Sequence, residues 1–124
     1  MWIFTPIGFF SIIANQQREE ELVVRGRVKS DLLLLERELL DYDERNPPSH
    51  VVTTPHADYP FRLFVNRETF AGWIAQSLLT LDYTNFKDTV AKTDPKRAHD
   101  TYLQIWGTLR ADLDPRTRLN ARRH

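Results

Sequence analysis

Arginines at every second position are the residues most able to do chemistry in this chain. Arg25 and Arg27 alternate with Val24, Gly26 and Val28, and Arg62 alternates with Phe61 and Leu63. Successive side chains of a strand point to opposite faces, so each arginine stands opposite the residues that build a core. Phe64 shares the face of Arg62. Planar cations beside an aromatic ring can bind phosphate or stack on bases. The plainer reading is a solvated face whose arginines pair with Glu19, Glu20 or Glu21, or one covered by the third helix, because antiparallel sheets commonly keep one wet face.

A second cluster is Asp82-Tyr83-Thr84-Asn85-Phe86-Lys87. Tyr83, Asn85 and Lys87 have the donors and acceptors to line a pocket. The same residue types also make a capped turn, with Asp82 or Thr84 bonding nearby amides and Phe86 plugging the core. His56 and Asp58, with His50 nearby, suggest a metal or acid-base pair. A metal needs three or four ligands, and no second dense cluster supplies them. Ser11, Ser30, Ser49 and Ser77 sit in no nucleophile motif. Cysteine is absent, which excludes a thiolate site and a disulfide framework. Asp94-Pro95 reads as a helix start, not as part of a nuclease site. No glycine-rich phosphate loop is present. The expectation is therefore no catalytic residue, no metal and no cofactor.

Strand-helix passages must position these residues, and the chain contains two that echo each other. Leu22 to Lys29 reads as a strand that enters a leucine-rich helix running to about Asp41, with Ser30 as its cap. Tyr59 to Val65 reads as a strand that enters a helix capped by Asn66, whose stripe is Phe70, Trp73, Ile74, Leu78 and Leu81. Upstream of each lies another strand: Trp2 to Ile13, bent at Pro6-Ile7-Gly8, and His50 to Thr54. Pro55 to Asp58 is the intervening turn. Asp94-Pro95 opens a last helix whose buried face is Ala98, Tyr102, Ile105, Trp106 and Leu109. The predicted fold is α+β in two layers. Two ββα units form a four-stranded, mainly antiparallel sheet with helices on one face, followed by a C-terminal helix. The expected domain spans residues 1–113, and residues 114–124 form a basic, disordered tail.

With 124 residues, one domain is the natural count. Lysine plus arginine (17) equals aspartate plus glutamate (17), so no global field draws the protein to nucleic acid or membrane. No run of residues is apolar for long enough to span a bilayer. The absence of cysteine fits a reducing cytoplasm.

Several segments together carry a resemblance: Met1-Trp2-Ile3-Phe4-Thr5, Gly8-Phe9-Phe10-Ser11, the segment from Leu22 with its paired arginines, Ala57-Asp58-Tyr59-Pro60-Phe61-Arg62, and Asp82 to Lys87. The chain resembles a family of small uncharacterised bacterial proteins from Met1 to about Leu109. That resemblance implies a compact standalone domain and no catalytic role.

The leading functional expectation is a small non-catalytic binding or regulatory protein that engages a protein partner. An aromatic excess on the first strand also makes a second copy of the chain a candidate partner. The next reading is RNA or single-stranded nucleic-acid binding through Arg25, Arg27, Arg62 and Phe64. The third is an enzyme with a site between the Asp58 and Asp82-Lys87 loops.

Overall fold

The structure, a computed structural model, describes residues 1–116. The chain divides into two compact units, Met1–Asp82 and Tyr83–His124, and the residues read as one domain over 1–113 fall in both. The basic tail lies, from residue 117 onward, outside the described residues.

The first unit is an open antiparallel sheet of five strands: β1 (Trp2–Thr5), β2 (Gly8–Ala14), β3 (Glu21–Gly26), β4 (Val52–Thr53) and β5 (Phe61–Asn66), in the order β1-β2-β3-β5-β4. The count is five, not four, because the first run is a hairpin rather than a bent strand. Thr5 Oγ1 accepts from the amides of Ile7 (3.2 Å) and Gly8 (3.2 Å) and donates to the Gly8 carbonyl (3.0 Å). That closes a turn at Pro6-Ile7 and folds Trp2 against Ser11. The first half therefore holds three strands before its helix, and only the second half is a ββα unit. The predicted strand at His50 to Thr54 shrinks to Val52–Thr53. Its upstream neighbour Ser49 still pairs with Phe64, donating its amide to the Phe64 carbonyl (2.9 Å) and accepting the Phe64 amide on Oγ (2.9 Å).

Two helices cover one face of this sheet. In α1 (Lys29–Tyr42) the residues Leu32, Leu35 and Leu39 are buried at helical spacing. In α2 (Arg67–Leu79) the buried apolar residues are Phe70 and Trp73. They close over Phe10, Ile12, Val24, Leu63 and Val65, one residue in two along each strand. Asn66 caps α2 as expected, accepting from the Thr69 amide at 3.1 Å. Ser30 does not cap α1. Val28 holds that position without a side-chain bond. The stripe on α2 ends at Ile74, because Leu78 and Leu81 are exposed.

The second unit is helical. It contains α3 (Phe86–Ala91), a π-helical turn over Arg97–Tyr102 and α4 (Leu103–Leu113). Asp94 starts the helix as its sequence requires, with Oδ1 accepting from the Arg97 amide at 3.1 Å. Its small core is Val90, Ala98 and Tyr102, with Phe86 and Ile105 packed against them. Trp106 is not part of it: the ring is 48% exposed, and Leu109 is exposed too. Helical spacing located the stripe, but the cluster reaches only its first turns.

Candidate functional site

The strand register sorts the face of the sheet opposite α1 and α2 into rows. One row runs straight across all five strands: Trp2 opposite Ser11, Ser11 opposite Arg25, Arg25 opposite Arg62, and Arg62 opposite Val52. On one side of it stand Phe4 and Phe9, paired across β1 and β2. On the other side stand Ile13, Val23 and Phe64. The middle of that row, Ser11, Arg25 and Arg62, is polar and cationic and lies between two apolar rows.

Arg25 is held from two directions. Its Nη2 donates to Ser11 Oγ at 2.7 Å, and its guanidinium lies 4.6 Å from the centre of the Tyr59 ring. Arg27 approaches the same ring at 4.8 Å. Tyr59 is nearly buried and also meets Phe9, at 6.5 Å between ring centres. Each cation-ring contact contributes on the order of 0.5–2 kcal/mol and fixes the plane of the guanidinium. Arg62 faces Arg25 across the strands, and like charges placed directly opposite repel. Among the described residues, none of these three arginines has a carboxylate within 4.0 Å. The acidic partners that the sequence suggested are engaged elsewhere: Arg18 takes Glu20 at 3.1 Å and Glu21 at 2.8 Å.

The aromatic end of the face is built by β1 and β2. Phe4 and Phe9 stack at 4.7 Å, and Trp2 meets Phe9 edge-on at 6.0 Å. Trp2 is 68% exposed. Asp31 anchors this platform from the first turn of α1. Where β3 leaves the sheet, Asp31 Oδ2 accepts the Phe9 amide at 3.2 Å, in the place of a ladder partner. Gly8, at φ +156°, leaves the room that the carboxylate needs.

The other expected site residues are dispersed. Asn85 is a helix cap, accepting from the Asp88 amide at 3.0 Å. Tyr83 rests near Phe86, at 6.2 Å between ring centres, and Phe86 stacks on Tyr102 at 5.6 Å. Lys87 Nζ lies 4.7 Å from the Trp106 ring. Asp58 is exposed in the β4–β5 turn, where His56 adopts φ 70°. Asp58 and the Tyr83–Lys87 stretch belong to different compact units. Among the described residues no group of three histidine, cysteine or acidic side chains is placed to hold a metal ion.

A polar cleft of about 560 Å³ opens beside Phe64, lined among others by Asn15, Arg18, Glu21, Arg45 and Asn66. Glu20, which also lines the cleft, titrates below the ordinary glutamate range, through a hydrogen bond within its own backbone and then through Arg18. A carboxylate held ionised in this way is a poor proton donor near neutral pH.

Arg25, Arg62 and Phe64 share one face of the sheet, as strand alternation requires, whereas β3 ends at Gly26 and leaves Arg27 just beyond it. Sequence reasoning missed Ser11, Tyr59 and Trp2 as members of the same face. Ser11 and Trp2 follow from the hairpin at Thr5-Pro6-Ile7-Gly8, whose proline and glycine positions are those of a turn. Tyr59 has the strand parity of Phe61 and Leu63, but Pro60 interrupts the alternation and the ring lies under Arg25 and Arg27. No described helix is long and apolar enough to cross a membrane. Comparison with protein-family profiles, with curated proteins and with solved structures returns no match to this chain.

Proposed function

We propose that this chain is a non-catalytic binding module that engages a protein partner through the face of its sheet opposite α1 and α2. The observation that carries this reading is the composition of that face. It combines an exposed tryptophan, an aromatic cluster and arginines that have no carboxylate partner among the described residues. Tryptophan, tyrosine and arginine are the residues that dominate binding energy at protein interfaces, particularly where neighbouring contacts exclude water. The flanking rows of Phe4 and Phe9, and of Ile13, Val23 and Phe64, supply such contacts.

The test is capture of the partner with purified tagged protein, compared across variants. Trp2→Ala and Arg62→Gln should each lose the captured protein, while Arg37→Gln on the exposed side of α1 keeps it. Retention of the partner by both face variants would refute the reading.

One observation favours a second reading, single-stranded nucleic acid. Among the described residues Arg25 and Arg62 on the sheet face, and Arg27 just beyond β3, have no carboxylate within 4.0 Å, a local positive field that the neutral total charge hides. Against it, the ring nearest those arginines is unavailable for base stacking, because Tyr59 is nearly buried beneath Arg25 and Arg27. Titration of labelled single-stranded RNA and DNA at low and moderate salt separates the two. Binding that weakens steeply with salt and vanishes in a variant with all three arginines changed to glutamine would establish the nucleic-acid reading.

A further inference from the structure

We infer that Arg25 and Arg62 together form a clamp for a carboxylate, so that the partner of this face presents an acidic segment. The inference rests on the reading of the sheet face opposite α1 and α2 as the interface, and it names the chemistry that face selects.

Several independent observations converge on the pair. Arg25 and Arg62 are direct cross-strand partners, an arrangement that is repulsive unless an anion sits between or above them. The Nε atom of each is shut off from solvent and has no hydrogen-bond acceptor among the described residues. A carboxylate arriving from solution would therefore have to engage the terminal guanidinium nitrogens of each arginine rather than Nε. Guanidinium forks match a carboxylate in plane and spacing, and such charge-assisted bonds are roughly twice as strong as neutral ones. Arg25 is pre-set for the task, since Ser11 and Tyr59 fix its plane before any ligand arrives. The apolar rows on either side lower the local dielectric and strengthen any attraction between this pair and an anion.

Geometry extends the description of the ligand. Trp2 lies in the same row as Arg25, two strands away, which is about 10 Å at the usual strand spacing. An extended peptide advances ~6.6 Å for every two residues on one face. A carboxylate on the arginine pair and an aromatic or aliphatic side chain against Trp2 therefore fall within a few residues of one segment. The neutral total charge of the protein offers no long-range pull on a polyanion, which leaves recognition to this local pair.

The experiment uses a fluorescein-labelled peptide that alternates glutamate with phenylalanine. Its glutamine-for-glutamate counterpart and labelled oligothymidylate are measured in parallel by fluorescence anisotropy on the full chain. The acidic peptide should bind and its glutamine version should bind at least about tenfold more weakly, the loss expected for a charge-assisted contact. Arg25→Gln and Arg62→Gln should each weaken the acidic peptide by a similar factor, with far-UV circular dichroism unchanged. Arg62→Lys, which keeps the charge but removes the fork, should fall between wild type and glutamine. Equal binding of the two peptides, or unchanged binding in both variants, would overturn the carboxylate clamp. Tighter binding of oligothymidylate than of the acidic peptide would also overturn it and assign the pair to phosphodiesters. If the peptides fail while the captured partner still depends on Trp2, the interface stands and only the clamp is lost.

Discussion

Changing Gly8 to alanine probes how the aromatic platform is held. Gly8 adopts φ +156°, where an L side chain is strained, at a cost of about 1–3 kcal/mol. A Cβ there would also lie 2.6 Å from Asp31 Oδ2 and 2.6 Å from Asp31 Cβ, so the carboxylate must move. Moving it breaks the bond from the Phe9 amide to Asp31 Oδ2. A donor left without its charged acceptor adds about 1–3 kcal/mol. The two terms give ~2–6 kcal/mol for Gly8→Ala. Asp31→Ala alone should cost at least the second term. In the double variant the Asp31 bond is already gone, so the two changes should sum to less than additive by about 1–3 kcal/mol. Gly107→Ala is the control. It lies inside α4 with nothing within 4 Å of an added Cβ, and alanine should stabilise the helix by ~0.5–1 kcal/mol. Urea denaturation followed by circular dichroism measures all four proteins. A loss below about 1 kcal/mol in Gly8→Ala, or strict additivity with Asp31→Ala, would refute the proposed coupling.

Trp73→Ala should cost ~3–5 kcal/mol, because the ring is buried among the α1 leucines and Phe70, whereas Trp106→Ala should cost less than ~1 kcal/mol. Chemical denaturation of the two variants distinguishes them, and equal losses would contradict the assigned burial. Without ligand and at low salt, Arg62→Gln should raise stability by ~0.2–1 kcal/mol by relieving its repulsion with Arg25, and added salt should shrink the gain. A clear loss in the melting temperature would mean that Arg62 has a structural partner. Asp43 titrates below the ordinary aspartate range, through the Asn46 side chain first, with the Arg45 and Asn46 amides and the Thr69 hydroxyl adding to it. Because its folded pKa is depressed, this stabilisation is present above the unfolded value of ~3.9 and is lost as pH falls through the folded one. The melting temperatures of wild type and Asp43→Asn should therefore converge as pH drops from 6 to 3. A constant gap would show that Asp43 acts without its charge.

The α+β class and the two-sided strands were legible because strand alternation is a local signal. Phe61, Leu63 and Val65 against Arg62 and Phe64 needs no tertiary information, and neither do Asn66 and Asp94 as helix starts. The hairpin at Pro6-Ile7 was masked by the apolar run around it, since the whole stretch from Trp2 to Ile13 has strand composition. Ser30 looked like a cap from its position, but Val28 occupies that place and the neighbouring Asp31 reaches across to β2. Trp106 shows the limit of periodicity. A helical stripe states which residues share a side, and only the packing states how far along it burial extends. The candidate face was half legible. Arg25 and Arg62 follow from parity alone, whereas β3 ends at Gly26, one residue before Arg27. Ser11, Trp2 and Tyr59 depend on register and on a proline break, which are properties of strand pairs rather than of strands.

The most direct measurement is nuclear magnetic resonance of the arginine Nε–H groups and backbone amides during titration with the acidic peptide. The account predicts that the Nε–H signals of Arg25 and Arg62, and the amides of Trp2, Ser11 and Phe64, shift together and saturably, while the exposed amides of α1 and α2 stay in place. Shifts confined to the helical side, or none at the arginine pair at saturating peptide, would contradict it.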